Sequence, residues 1–148
     1  VHIIGHNENI DLNIKRNKSY VRRRFINNIA ALMQNCDLVI SRSGAGAINE
    51  LMYTQKPSIL IPFPNSKNNH QEKNALILSS AGGAIIINQK LNANIFLKDT
   101  LERIFENEGD NKSKFKILQI MKKNMLTLDK DNPQKKIIRI LNQFRNDL

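Results

Sequence analysis

Up to Ile87 the apolar residues fall in short runs; after Asn92 they fall in helical stripes. Val1–Ile4 is apolar, stops at Gly5, and reads as a buried strand. His6–Lys18 is polar and Asn-rich, a loop. Tyr20–Ile26 predicts a second strand with Val21 and Phe25 facing inward. Asn27 is placed to cap a helix reaching about Gln34, with Ile29, Ala30, Leu32 and Met33 as its apolar positions. Asp37–Ser41 is apolar without alternation, the pattern of a strand covered by helices on both faces. A turn of small residues, Ser43–Gly46, leads into a helix over about Ala45–Thr54, which Lys56-Pro57 stops. Ser58–Ile61 predicts the next buried strand, closed by Pro62-Phe63-Pro64. After the polar loop Asn65–Asn69, a helix over His70–Ser80 ends at Gly82-Gly83, and Ala84–Ile87 is the last strand.

Three helical stripes follow: Leu97, Leu101, Ile104 and Phe105; then Phe115, Leu118, Met121 and Met125; then Ile137, Leu141, Phe144 and Leu148. Their simplest use is core packing. Alternating strands and helices predict an α/β fold with a doubly wound, Rossmann-like parallel sheet. The expected organisation is one domain over 1–148, with an α/β core over about 1–90 and a helical tail over about 91–148. Such sheets bind ligands beyond the carboxyl ends of their strands. The informative loops are then those after Ile4, Phe25, Ser41 and Ile61.

Composition narrows the class. With 148 residues, 41% hydrophobic and 24% charged, the chain can build a core, which argues against a disordered tail, a fibre or a disulfide scaffold. No apolar run is long enough to span a bilayer, because Ser79, Ser80, Gly82 and Gly83 break the richest stretch. The chain opens on Val1 rather than Met, with no signal-peptide pattern, so a fragment is expected. The single Cys36 allows no internal disulfide and suits a reducing cytoplasm. No Cys/His cluster has zinc spacing and no acidic pair marks a metal site, so no metal and no cofactor are expected.

The net charge of +10 is uneven: residues 111–148 carry 10 basic and 3 acidic residues, and Lys15–Arg24 holds six cations without an anion. Three readings stay open. One is an ordinary solvated surface. The second is attraction to an anionic membrane face, worth about 1 kcal/mol per nearby cation. The third, nucleic acid, is disfavoured, because only 5% of residues are aromatic and none interleave with the cations.

Three segments can carry chemistry. In Ser41-Arg42-Ser43-Gly44-Ala45-Gly46-Ala47, small residues sit at a strand-to-helix turn, where a ligand can approach the backbone. The free N–H groups of the helix start and the helix dipole favour an anion such as a phosphate or diphosphate. Arg42 can add charge-assisted hydrogen bonds. The pattern is not G-x-G-x-x-G, since Asn49 stands at the third glycine position, and a helix entry packed on the sheet explains it equally well. Glu50, after Ile48 and Asn49, can accept hydrogen bonds from two vicinal hydroxyls of a ribose, or be a surface residue favoured by the dipole. His70 and Asn74 share a helix face, with Gln71 beside them. Such groups suit sugar hydroxyls, or cap a helix. His70 has no neighbouring Asp or Cys, so no triad is proposed.

In this order, the three segments resemble the MurG family of peptidoglycan glycosyltransferases, within glycosyltransferase family 28. The resemblance rests on S-R-S-G-A-x-x-x-x-E, then K-P-x-x-x-I-P-F-P, then H-Q-x-x-N-A. It runs over most of the chain, with the helical tail matching in pattern only. It implies the C-terminal, donor-binding lobe of a two-lobed GT-B enzyme. That enzyme moves GlcNAc from UDP-GlcNAc to a lipid-linked muramyl-pentapeptide, inverting the anomeric centre. Carried over, Ile26 would meet the uracil through its backbone. The helix start Ala45, Gly46, Ala47, Ile48, Asn49, Glu50 would face diphosphate and sugar, with Glu50 on the ribose. His70, Gln71 and Asn74 would face GlcNAc, while Arg42, Ser43 and Gly44 would form the loop, Arg42 beside the phosphates or holding the loop.

The resemblance further implies a peripheral enzyme on the cytoplasmic face of the bacterial inner membrane. Its partners would be an anionic membrane surface and an acceptor bound through the N-terminal lobe, with no nucleic acid. The family's G-G-S-Q-G-type phosphate loop is absent from these 148 residues, as is the acceptor lobe with its proposed catalytic base. The expectation is a chain beginning one strand and one helix into the donor lobe, with no catalytic residue of its own, weak nucleotide binding and no activity alone. Two alternatives remain: a small donor-binding subunit of a split transferase, and a noncatalytic basic module for membrane or RNA.

Overall fold

In a computed structural model, the chain is described over residues 1–5, 19–105, 116–128 and 142–143. The expected loop over 6–18, Phe115 and the third apolar stripe lie outside the described residues. The elements follow one another as β1 (His2–Ile3), β2 (Arg22–Arg23), α1 (Ile29–Gln34), β3 (Val39–Ser41), α2 (Ala45–Thr54), β4 (Ser58–Leu60), α3 (His70–Ser80), β5 (Ala84–Ile86), α4 (Ala93–Phe105) and α5 (Lys116–Leu128). Every strand pairing among the described residues is parallel. β4 is central, flanked by β3 and β5, with Ile59 opposite Ile40 on one side and Ile85 on the other.

The fold class is α/β, with the expected alternation of strand and helix. Among the described residues the strands form two sheets, β1–β2 and β3–β4–β5, rather than one. The expected burial of β1 and β2 does not hold. Phe25 is 67% exposed, Val1 equally so, and neither strand contributes to a core cluster. Apolar content signals a strand, but burial also needs a covering layer, which the described residues do not supply at Val1 or Phe25.

The three-stranded sheet is covered on both faces. On one, Leu60 and Ala84 pack with Met33 of α1, Ile48 and Leu51 of α2, and Ala75 and Leu78 of α3. On the other, Ile59 and Ile87 pack with Ile104 of α4 and with Leu118 and Met121 of α5. Each fully buried Leu or Ile contributes about 1.5–3 kcal/mol, so β4, buried at all three positions, anchors the sheet. The second face is incomplete at the β3 edge, where Ile40 is 47% exposed. This departs from the expectation that both faces of that strand are covered.

Local signals explain the helix limits. Asn28, rather than its neighbour Asn27, caps α1, its Oδ1 accepting from Ala31 N at 2.9 Å. Lys56 Nζ donates to the carbonyls of Gln34 and Cys36, both at 2.9 Å, placing a cation at the carbonyl end of α1. Cys36 is half-buried, and burial pushes its thiol pKa up. α2 ends at Gln55 in the left-handed region, before Lys56-Pro57. Asn68 and Asn69, also left-handed, reverse the chain into α3, a conformation Asn tolerates.

α5 docks on the turn before β5, at the amino end of the sheet. Asn124 Nδ2 donates to Gly82 O at 3.1 Å. A Cβ on Gly83 would collide with Met125, its Cγ only 2.8 Å away. Gly83→Ala is therefore expected to lower the unfolding free energy by about 1–3 kcal/mol through overpacking. A urea midpoint equal to the unsubstituted chain's would show that α5 is not seated there.

Candidate functional site

Three loops leave the carboxyl ends of β3, β4 and β5, and the last ladder bonds are Ile61 N to Ser41 O and Ile87 N to Leu60 O, both 2.9 Å. Beyond them, side chains tie the loops together. Ser43 is fully buried, and its Oγ donates to Gln71 O at 2.7 Å. Its own carbonyl accepts from Asn74 Nδ2 at 3.1 Å. Gln71 Oε1 accepts from Phe63 N at 2.9 Å, and Gln71 N donates to Ser66 Oγ at 3.4 Å. The start of α3 is thus fastened to both the β3 loop and the β4 loop.

The start of α2 is open. Gly44 occupies the N-cap, and no side chain caps the helix. Ile48 N donates to Gly44 O at 3.0 Å, closing the first turn. The N–H groups of Ala45, Gly46 and Ala47 have no acceptor among the described residues. They are the donors that a phosphate at a helix start uses. A Cβ on Gly44 or Gly46 would meet nothing within 4 Å, and neither residue has a positive φ. Packing therefore does not require glycine at either position, and the space in front of the backbone is free.

The predicted residues divide accordingly. Residues 42–50 and 70–74 are brought together. Two of the first group depart from the expectation: Ile48, whose side chain is 3% exposed in the core and whose N–H is used within the helix, and Ser43, fully buried with its hydroxyl and carbonyl both bonded to α3. Asn49 is exposed and Glu50 half-buried, and no described residue bonds to the Glu50 carboxylate. Ile26 lies half-buried between β2 and α1, apart from this hydrogen-bonded network. His70 is exposed, with Nδ1 2.6 Å from Lys67 O. A carbonyl can only accept, so the proton between them sits on Nδ1, and Nε2 faces away from this contact.

The two amides are oriented by the same logic. Phe63 N–H can only donate, so Gln71 gives it Oε1 and keeps its two Nε2 protons. Ser43 O can only accept, so Asn74 gives it Nδ2 and keeps Oδ1. Gln71 retains donors and Asn74 retains an acceptor, a complementary pair for sugar oxygens and hydroxyls.

Arg42 has a different setting from a phosphate ligand. Its Nη1 donates to Ile61 O at 3.0 Å, Pro62 O at 3.3 Å and Gln89 Oε1 at 2.5 Å. Its guanidinium also lies 5.7 Å from the Phe63 ring centroid. Gln89 carries no recognisable signal in the sequence, and the Pro62-Phe63-Pro64 motif gives no sign of the contact between Phe63 and Arg42. A cleft of about 140 Å³ opens between the β4 and β5 loops, lined by Phe63, Glu72, Asn88 and Lys90 among others. That is below the roughly 300 Å³ of the smallest ordinary ligand pockets, and it is not the space before α2. Among the described residues, no cluster of His, Cys, Asp or Glu is suited to a metal.

Parallel strands with an uncapped, glycine-flanked helix start beyond their carboxyl ends define an α/β lobe of the nucleotide-binding type of architecture, with unused N–H donors at that helix start. Residues 1–130 match the glycosyltransferase family 28 C-terminal domain, and the chain belongs to that family. Among curated relatives, it is 58% identical over 146 residues to the UDP-N-acetylglucosamine--N-acetylmuramyl-(pentapeptide) pyrophosphoryl-undecaprenol N-acetylglucosamine transferase of Prochlorococcus marinus strain MIT 9515. It is 54% identical over 145 residues to the enzyme of the same name from strain MED4. Each alignment covers 97% of this chain and 40% of the relative, so the chain spans about two fifths of their length. The crystal structure of Acinetobacter baumannii MurG superposes with a TM-score of 0.59 at 21% identity, over 83% of this chain and 35% of that one. This likeness shows a shared fold.

The amide orientations make an asymmetric prediction. Gln71→Glu keeps an acceptor for Phe63 N–H, and stability should stay within about 0.5 kcal/mol. Asn74→Asp sets a carboxylate against the Ser43 carbonyl, and should cost about 1–3 kcal/mol at neutral pH. Equal unfolding midpoints for the two variants would contradict the assignment.

Proposed function

We propose that this chain is the UDP-GlcNAc-holding lobe of a transferase that passes GlcNAc to a lipid-linked muramyl-pentapeptide, the reaction named for its relatives. The observation that carries the reading is the uncapped start of α2, set among residues that retain sugar-compatible hydrogen-bonding groups. In this reading the diphosphate lies against the N–H groups of Ala45, Gly46 and Ala47. Glu50 accepts from the ribose hydroxyls, and Ile26 meets the uracil. Gln71 donates to the sugar and Asn74 accepts from it, with His70 Nε2 at the rim.

The reaction is an inverting displacement. An acceptor hydroxyl attacks the anomeric carbon as its proton passes to a base, the bond to the diphosphate breaks, and UDP leaves with the extra negative charge. This lobe orients the donor and stabilises that charge through fixed N–H dipoles, which need no reorganisation during the step. None of the residues assigned here is asked to remove the acceptor's proton.

No described helix is long and apolar enough to cross a membrane. We assign the basic surplus over 111–148 to contact with an anionic membrane surface on the cytoplasmic side, where the lipid-linked acceptor would lie. Lys116, Lys122 and Lys123 of α5 are exposed and available for it. Neutralising the cations of 111–148 should weaken binding to anionic vesicles. Unchanged binding at low salt would refute this assignment.

The donor reading is tested by ligand-observed NMR with UDP-GlcNAc. The expected result is a UDP-GlcNAc signal that weakens about tenfold or more in Glu50→Ala, as the loss of a carboxylate's charge-assisted hydrogen bonds predicts, with none for ADP-glucose. Silence from a folded chain, or equal signals from both nucleotides, would overturn it.

A further inference from the structure

We propose that Arg42 is a positioning residue that sets the sugar-facing amide of Gln71, and not a ligand of the diphosphate. This inference rests on the donor-lobe reading of the same site. The loops after β3, β4 and β5 share no ladder bond beyond Ile61 and Ile87. Arg42 spans all three. It leaves the β3 loop, donates to two consecutive carbonyls of the β4 loop, Ile61 O and Pro62 O, and reaches Gln89 Oε1 past the end of β5. Its guanidinium lies over the Phe63 ring, which is 46% exposed. The next backbone donor along that loop, Phe63 N–H, is the group that holds Gln71 Oε1. The linkage therefore runs from the Arg42 guanidinium to the Ile61–Phe63 backbone, and from there to the orientation of the Gln71 amide.

The setting suits an arginine. All three bonds leave one nitrogen, Nη1, and the planar guanidinium lying over the Phe63 ring fixes the direction of that nitrogen, which a lysine ammonium on a flexible stem would not. No carboxylate pairs with Arg42 among the described residues, and the acceptors it uses are neutral. Its bonds are spent on the scaffold.

A phosphate ligand and a positioning residue differ in what they lose on substitution. If Arg42 touched the diphosphate, Arg42→Ala would weaken UDP and UDP-GlcNAc alike, and Arg42→Lys would recover much of both. As a positioning residue, it affects only the part of the affinity that the sugar adds. The experiment measures UDP and UDP-GlcNAc binding to the full chain and to Arg42→Ala, Arg42→Lys and Gln89→Ala. It also follows amide exchange at Phe63, which needs no ligand.

The expected result is a loss of Phe63 protection of about tenfold or more in both Arg42 variants, as breaking a charge-assisted tie predicts. Gln89→Ala should show a smaller loss, and Ile59, in the core, none. UDP-GlcNAc should weaken while UDP does not. Unchanged protection at Phe63, equal weakening of both nucleotides, or recovery in Arg42→Lys would overturn the proposal. A folded, unsubstituted chain that bound neither nucleotide would overturn the donor-lobe reading and, with it, the sugar-orienting role. The exchange result would still decide separately whether Arg42 holds the β4 loop.

Discussion

Ser43 is the point through which the strand-end loops are fixed to the rest of the molecule. It is the second residue after β3, it is fully buried, and both its hydroxyl and its carbonyl are bonded to α3. Buried polar groups that lack partners cost about 1–3 kcal/mol each. Paired here, they instead lock the β3–α2 turn against the start of α3. The path of the chain past Ser43 then leaves Gly44 as an N-cap without a side chain, and the start of α2 with unused donors. The openness of one helix end thus follows from a tight connection one residue earlier.

The same economy governs the charge of the site. Three N–H groups at the start of α2 supply a fixed positive potential, without the entropy that a long cationic side chain would lose on binding. The nearby arginine is committed to carbonyls and an aromatic ring. Half of each neighbouring amide is likewise committed to backbone, which removes its freedom to flip. Such a surface is preorganised. Its polar groups are held by the fold before any ligand arrives, as stabilising a charge that grows during a reaction requires. At the opposite end of the sheet, α5 closes on Gly82 and Gly83 with apolar contact and one hydrogen bond.

Much of this was legible in the residues. The limits of α2 and α3 coincide with their signals, because small residues, Lys56-Pro57, the Asn68-Asn69 pair and Gly82-Gly83 punctuate the chain by local backbone chemistry. The cap of α1 shifted by one residue, since Asn27 and Asn28 carry the same side chain and only tertiary geometry chooses between them. The exposure of Val1 and Phe25 is not legible in the sequence, because a run of apolar residues does not say what will cover it. The partners of Arg42 and Asn74 were invisible for another reason. They lie 47 and 31 residues away, at Gln89 and Ser43, and no local periodicity encodes such a pairing. The motif therefore marked which residues gather at the site, while the fold decided which of their atoms remain free.

The most direct test of the central claim, that an anion is received at the open start of α2, is an amide chemical-shift map during titration with UDP. The account predicts the largest shifts at Gly44, Ala45, Gly46 and Ala47, with Gly82 and Gly83 at the far end of the sheet unmoved. Shifts confined to the basic residues of 111–148, or centred on Gly82 and Gly83, would contradict it.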